Sequence, residues 1–142
     1  MPIKKSQLRI IAGKFRSRKI FFYPDNAELR PTLKRVRETL FNWLAVDVVG
    51  SICLDLFAGS GIFAFEALSR GASYCLSVEQ NYNSYKTIIE NKIHLNIKDE
   101  EFKIINQDAL LTLEQPNIML NNLSDNYNKK FNIVYVIKFL IC

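Results

Sequence analysis

Apolar runs that alternate with helix-like stretches dominate the chain after residue 50. Runs of consecutive apolar residues predict strands, near residues 51–56, 74–79, 102–106 and 131–137. Apolar positions at helical spacing predict helices between them, near residues 61–70, 82–94 and 108–115. Apolar strands that alternate with helices indicate a parallel sheet covered on both faces. The predicted fold class is therefore α/β, with a Rossmann-like sheet.

The pattern near the N-terminus is different and predicts a β-hairpin. Two short strands are expected around a turn near Gly13. Arg16 and Arg18 alternate along the second of these stretches, which would place both side chains on one face.

A helix with one apolar face is predicted after the hairpin. It is expected to open at the sequence Arg30-Pro31-Thr32, with Thr32 as its N-cap. Residues 1–45 are then a basic hairpin and helix, and residues 46–142 are the part with alternating strands and helices. We expect the two parts to form one structural unit.

Composition is typical of a single globular domain without a membrane anchor. The chain has 142 residues, of which 49% are apolar, enough for a core but not for two domains. No apolar tract approaches the ~20 residues of a membrane helix, and no signal peptide is expected, so the predicted compartment is the cytoplasm. The three cysteines and one histidine lack metal-ligand spacing, and no metal is expected.

Charge is distributed unevenly along the chain. Residues 1–37 hold 11 of the 19 Lys and Arg residues but only two of the 14 acidic residues. A cationic segment beside a neutral to acidic body suits a partner with a phosphate backbone. The alternative is a surface whose charges serve only solubility.

The segment from Asp55 to Gly61 carries the strongest functional signal. It follows an apolar strand and precedes a helix, so Gly59 and Gly61 lie in a turn suited to a nucleotide-like ligand. Glu79 closes the next strand, at the spacing of a carboxylate that binds ribose hydroxyls. The pattern also satisfies a permissive dinucleotide motif, but Asp55 would repel a diphosphate and would attract the ammonium group of S-adenosyl-L-methionine.

With its flanks included, the sequence resembles the RsmD family, which methylates the N2 amino group of a guanine in 16S ribosomal RNA. The resemblance runs from about Leu8 to Val136. The segments that carry it are Leu8–Lys19, Arg30–Leu44, Asp55–Gly61 and Phe65–Ala72. It implies a class I methyltransferase fold, S-adenosyl-L-methionine as cofactor, and 16S ribosomal RNA or a small-subunit particle as partner. It also implies that residues 1–45 face RNA and that residues 46–142 are an incomplete S-adenosyl-L-methionine-binding domain.

The resemblance also implies roles for individual residues. The cofactor-binding set is Asp55, Phe57, Ala58, Gly59, Ser60, Gly61, Glu79, Gln80, Asp108 and Ala109. The RNA-binding set is Arg9, Lys14, Arg16, Arg18, Lys19, Arg30, Lys34 and Arg35. Two alternatives stay open: Asp108 could be a helix N-cap, and Asp55 could be a simple strand-end acid.

The chain departs from the family after its fourth sheet strand. Family members continue into an Asp-Pro-Pro-Phe/Tyr motif that orients the guanine amine, whereas this chain reads Ile137-Lys138 and ends at Cys142. No catalytic residue is therefore assigned, and the chain is expected to be truncated and inactive or nearly so. Its fourth strand would be an apolar edge prone to self-association. A shifted reading frame and a shortened paralogue both remain open explanations.

Two other functions remain as alternatives. The first is a non-catalytic RNA-binding or ribosome-assembly module, for which the basic N-terminal segment would suffice. The second, more distant, is a nucleotide-dependent oxidoreductase, which would bind NAD in preference to S-adenosyl-L-methionine.

Overall fold

The computed structural model describes residues 5–23, 30–115, 117 and 131–135. Six strands lie in this part of the chain: β1 Ser6–Arg9, β2 Lys19–Phe22, β3 Ile52–Asp55, β4 Tyr74–Glu79, β5 Phe102–Asn106 and β6 Ile133–Tyr135. Four helices accompany them: α1 Arg30–Trp43, α2 Ile62–Ser69, α3 Tyr82–His94 and α4 Ala109–Glu114. None of these helices is long and apolar enough to cross a membrane. The predicted departure at Ile137 and Lys138 lies outside the described residues.

A four-stranded parallel sheet forms the centre of the structure. Its strand order is β5-β4-β3-β6, and every neighbouring pair runs parallel. The α/β prediction is confirmed, because parallel strands alternate with helices along the chain, and β3 and β4 are buried on both faces. The order reverses at β3, since β4 and β5 extend the sheet on one side and β6 on the other. Such a switch point opens a crevice at the carboxyl ends of the strands.

The two faces of the sheet have separate apolar cores. The larger core joins helices α2 and α3 to residues such as Cys53, Phe102 and Ile104. The smaller core joins α4 to the alternate residues of the same strands, among them Leu54 and Leu76. Alternation along each strand thus supplies one apolar side chain to each face in turn.

The hairpin and α1 pack into the larger core. Leu8, Ile20 and Phe41 are buried in the same cluster as α2. Strand β2 is also held by Asn91 of α3, whose side-chain amide donates to the Phe21 carbonyl at 2.8 Å and accepts from the Phe21 N–H at 3.1 Å. The amide therefore pairs with β2 much as a neighbouring strand would.

The predicted hairpin is confirmed, but two details of the N-terminal prediction are wrong. Strand β2 begins only at Lys19, so Arg16 and Arg18 belong to the preceding turn and the alternation of a strand does not apply to them. Helix α1 begins at Arg30 rather than after Thr32. Proline fits the first turn of a helix, because its fixed φ is helical and its missing N–H is not needed there.

Candidate functional site: the carboxyl edge of the sheet

Three acidic residues lie at the carboxyl ends of neighbouring strands. Asp55 is the last residue of β3, Glu79 is the last residue of β4, and Asp108 follows β5. Parallel pairing of these strands brings their ends to one edge of the sheet, beside the switch point. The sequence-predicted acids are therefore gathered in the crevice where α/β proteins bind ligands.

The loop between β3 and α2 is a glycine turn whose amides lie next to β4. Gly59 and Gly61 have φ angles of 58° and 81°, a region that favours glycine. The Ala58 N–H donates to the Val78 carbonyl at 3.1 Å, which ties the loop to β4. A Cβ at Gly61 would lie 3.1–3.2 Å from side-chain atoms of Phe65 and Ile88, so these side chains would have to shift by a few tenths of an ångström. The positive φ and the tight space both favour glycine at this position.

Asp55 is a buried carboxylate with one oxygen unsatisfied. Its side chain is 2% exposed, and Oδ1 accepts from the Phe57 N–H at 3.2 Å. Oδ2 has no hydrogen-bond partner among the described residues. Burial, and to a lesser degree the nearby Glu79 carboxylate, raises the pKa of Asp55 to about 7. A buried acceptor without a donor is costly, so this position suits a ligand that donates hydrogen bonds or carries positive charge.

Glu79 connects the glycine turn to the end of β4. Its Oε1 accepts from the Gly59 N–H at 3.2 Å and its Oε2 from the Asn81 N–H at 3.3 Å. Partial burial raises the pKa of Glu79, although these amide hydrogen bonds oppose the shift. The carboxylate is thus fixed in place with lone pairs left for further donors.

Asn106 is a positioning residue that the sequence analysis did not single out. Its side-chain amide donates to the carbonyls of Glu79 and Gln80, at 2.9 and 3.0 Å. It therefore fixes the backbone that carries Glu79. The sequence shows only that a polar residue ends β5. The strand register then places this residue directly opposite Glu79.

The remaining predicted cofactor residues surround these acids with different degrees of burial. Ala58, Ser60, Gly61 and Ala109 are buried, Phe57, Gly59 and Asp108 are half-buried, and Gln80 is exposed. Asp108 is the N-cap of α4, because its Oδ1 accepts from the Leu111 N–H at 3.1 Å. The alternative that the sequence left open for Asp108 is therefore correct, and its second oxygen stays available to a ligand.

These residues fit S-adenosyl-L-methionine better than a diphosphate ligand. The unsatisfied Asp55 oxygen suits an ammonium group, and the fixed Glu79 carboxylate suits hydroxyl donors. A diphosphate would instead meet two carboxylates at the same edge. No cluster of metal-binding side chains occurs in residues 5–23, 30–115, 117 and 131–135.

The predicted RNA-binding residues do not all line one pocket. Arg9, Arg16 and Lys34 line a single pocket of about 470 Å³ between the hairpin and α1. Lys14 instead pairs with Glu101 at 3.4 Å, and Arg18 donates to the His94 carbonyl at 3.5 Å. Lys19 is half-buried on β2 and Arg35 is exposed on α1, while the Arg30 side chain lies outside what the structure describes.

A buried ionic cluster beneath this pocket was missed by the sequence analysis. Glu66 of α2 is fully buried and accepts from the backbone N–H groups of Ile11 and Ala12 at 2.9–3.2 Å. Its carboxylate also lies 3.4 Å from Arg37 Nε and 3.1 Å from Arg70 Nε. The signal was one acid within an otherwise apolar helix, a position that demands buried partners.

Comparison with known proteins is consistent with this site. A family model described as "Conserved hypothetical protein 95" matches residues 8–136. The Escherichia coli (strain K12) protein named "Ribosomal RNA small subunit methyltransferase D" is 45% identical over 109 residues, which cover 77% of this chain and 54% of the relative. A protein of the same name from Buchnera aphidicola subsp. Acyrthosiphon pisum is 36% identical over 133 residues, covering 94% of this chain and 63% of the relative.

A solved structure extends the similarity to three dimensions. The structure titled "Putative methyltransferase yhhF from Escherichia coli" matches with a TM-score of 0.70 and 40% identity. The match covers 78% of this chain and 58% of that chain. The chain therefore spans little more than half the length of the Escherichia coli proteins that it matches.

Proposed function

We propose, because the chain belongs to the RsmD family, that it binds S-adenosyl-L-methionine at the carboxyl edge of its sheet and acts on ribosomal RNA. One observation carries the cofactor part of this proposal: the unsatisfied Oδ2 of buried Asp55 lies at the end of the strand that leads into a glycine turn. The family resemblance supports the reaction class, which is methyl transfer to guanine N2 of 16S ribosomal RNA.

Each acid at this edge has a distinct part in holding the cofactor. Asp55 would accept from the ammonium group, Glu79 from the ribose hydroxyls, and Asp108 from the adenine amino group. When bound, the cofactor supplies a methyl group on a positively charged sulfur. The buried face of α2 behind the glycine turn keeps water away from one side of this edge.

Activation of the guanine amine is the step for which this chain lacks suitable residues. That amine is a weak nucleophile, and hydrogen-bond acceptors are needed to orient it. At the position of the family's acceptor motif the chain carries Ile137 and Lys138, whose side chains accept no hydrogen bonds. We therefore propose binding of cofactor and RNA with little or no methyl transfer, and a non-catalytic RNA-binding or ribosome-assembly role is the second candidate.

A methyl-transfer assay tests the proposal, and titration of the same chain with S-adenosylhomocysteine separates the two candidates, because a non-catalytic RNA-binding module needs no cofactor. The purified chain is incubated with radiolabelled S-adenosyl-L-methionine and unmethylated small-subunit particles, and N2-methylguanosine is then quantified in the RNA. A full-length family member is the positive control. We expect the chain to bind the particles with a label yield at background. Robust formation of N2-methylguanosine would refute the inactivity, and absence of particle binding would refute the RNA partner.

A further inference from the structure

The pocket between the hairpin and α1 is separate from the carboxyl edge of the sheet. It is lined by β1, the turn that follows it and the first half of α1, and none of the predicted cofactor residues contributes to it. Its volume of about 470 Å³ lies within the roughly 300–1,000 Å³ of small-ligand sites. The pocket therefore has room for a phosphate group together with its sugar.

Positive charge dominates the rim of this pocket. Arg9, Arg16 and Lys34 line it and are exposed, and no ion pair involves their side chains within the described ranges. Glu38 is the one carboxylate among the lining residues. The other cations of the turn, Lys14 and Arg18, are directed to Glu101 and to the His94 carbonyl. Three cations that have no ion pair in the described part of the chain thus line one cavity.

Arg37 gives this pocket a buried guanidinium. Its side chain is 2% exposed, and its Nη2 donates to the Arg9 carbonyl at 2.8 Å. Its Nη1 has no hydrogen-bond partner among the described residues. Burial lowers the pKa of Arg37, while the Glu66 and Glu38 carboxylates oppose that shift. A buried guanidinium N–H without an acceptor is costly, and Arg37 is one of the residues that line the pocket.

The ionic cluster beneath the pocket does not supply this missing acceptor. Both oxygens of Glu66 already accept from the amides of Ile11 and Ala12, and Arg70 Nε shares Oε2. Glu66 therefore holds Arg37 in position without satisfying Nη1. A planar guanidinium with a free N–H matches the tetrahedral oxygens of a phosphate.

We propose that this pocket binds a phosphate group of an RNA backbone, with Arg9, Arg16 and Lys34 as the charged rim and Arg37 as the buried donor. The phosphate chemistry stands on the pocket itself, whereas RNA as its source rests on the proposed function. The site is more specific than the basic segment as a whole, since it excludes Lys14, Arg18 and Arg35 from direct contact with this phosphate.

A matched pair of double variants tests the site. Arg16→Ala with Lys34→Ala removes two exposed cations from the rim. Lys98→Ala with Lys103→Ala removes two exposed cations that neither line the pocket nor belong to the predicted RNA-binding set. Both double variants lose the same net charge. Affinity for a fluorescein-labelled RNA stem-loop is measured by anisotropy across a salt series, after thermal unfolding has shown that both variants fold.

The rim variant is expected to lose about tenfold or more in affinity, as for a charge-assisted hydrogen bond, and its salt slope should fall by about one. The control variant should lose less than about threefold, because screened surface charges contribute little. Equal losses in the two double variants would overturn the proposal.

Competition with pyrophosphate distinguishes the source of the phosphate. If pyrophosphate binds the native chain and loses affinity in the rim variant, while RNA affinity is equal in the two double variants, then RNA is not the ligand and that part of the proposal is overturned. Failure of the cofactor proposal would be seen separately, as absence of S-adenosylhomocysteine binding to the native chain.

Discussion

Two buried acids, Asp55 at the carboxyl edge of the sheet and Glu66 beneath the hairpin, differ in how their oxygens are satisfied. Asp55 has one oxygen bonded to the Phe57 N–H and one with no partner among the described residues. Both oxygens of Glu66 accept backbone hydrogen bonds, and two arginines lie beside them. The acid whose oxygens are satisfied therefore holds the fold together, whereas the acid with an unsatisfied oxygen suits a ligand site.

The largest expected effect concerns the saturated acid. Glu66→Ala removes the acceptor for two backbone amides and leaves Arg37 buried without its counter-charge. Breaking a buried ion pair in this way costs about 3–5 kcal/mol. Urea unfolding measures the loss, and Glu90→Ala, at an exposed acid of α3, is the control. A loss below about 1 kcal/mol would show that Glu66 is not the anchor of the hairpin.

Titration of the unsatisfied acid gives the next effect. Folded Asp55 keeps its proton to about pH 7, whereas the unfolded chain loses it near its ordinary value of 3.8. The folded state therefore binds more protons between these values, and the free energy of unfolding falls as pH rises from 4 to 7. The full difference is at most about 4 kcal/mol.

Asp55→Asn should remove most of this pH dependence. Urea unfolding at pH 4.5 and at pH 8 measures the free energy of unfolding at two pH values chosen from the pKa shift of Asp55. Glu79, whose pKa is also raised, leaves a smaller slope of the same sign. Asp99→Asn is the control, because Lys92 lowers the pKa of this exposed acid and its contribution has the opposite sign. An unchanged profile in Asp55→Asn would contradict the buried, desolvated carboxylate.

Gly13 tests how closely the hairpin must approach α2. Its φ is +89°, and a Cβ there would lie 1.9 Å from the Ser69 carbonyl oxygen. Gly13→Ala should cost about 2–4 kcal/mol, from left-handed strain and from overpacking. Gly50→Ala is a matched control with φ +75° and nothing within 4 Å, so it measures the strain alone. Thermal unfolding of the two variants compares them, and equal losses would mean that the close approach is unimportant.

The smallest effect tests whether Asp108 stabilises α4 through its capping hydrogen bond or through its charge. Asp108→Ala removes the N-cap of α4 and should cost about 1 kcal/mol, whereas Asp108→Asn keeps an equivalent cap. Denaturant midpoints of the two variants measure the difference. If Asp108→Asn is as destabilising as Asp108→Ala, charge rather than the capping hydrogen bond supports α4.

The cofactor edge could be predicted from sequence because its signals are local. Each of its predicted residues lies next to a strand that its apolar run makes recognisable: Asp55 and the two glycines follow the first strand of the sheet, and Glu79 ends the second. Because the carboxyl ends of parallel strands lie at the same edge of a sheet, these residues can be expected to lie close together without knowledge of the structure. The unsatisfied Asp55 oxygen could not be predicted, since it depends on which donors the folded chain brings near.

The hairpin region was predicted less well because its determinants are distant in sequence. Glu66 and the amides of Ile11 and Ala12 are more than 50 residues apart, and no local pattern joins them. Arg16 lines the pocket, whereas Arg18 donates to the His94 carbonyl; both residues lie in the turn before β2 rather than on a strand. A lone acid in an apolar helix predicts that a buried partner exists but not which residue it is.

The cofactor proposal depends above all on the binding of S-adenosyl-L-methionine by Asp55 and its glycine turn. Calorimetric titration with S-adenosylhomocysteine tests it on the native chain, Asp55→Ala, Gly61→Val, and Asp47→Ala as an exposed acid control. Micromolar binding that is lost in the first two variants, retained in the control and absent with NAD is the predicted result. A folded native chain that does not bind, or that binds equally well without the Asp55 carboxylate, would contradict the claim.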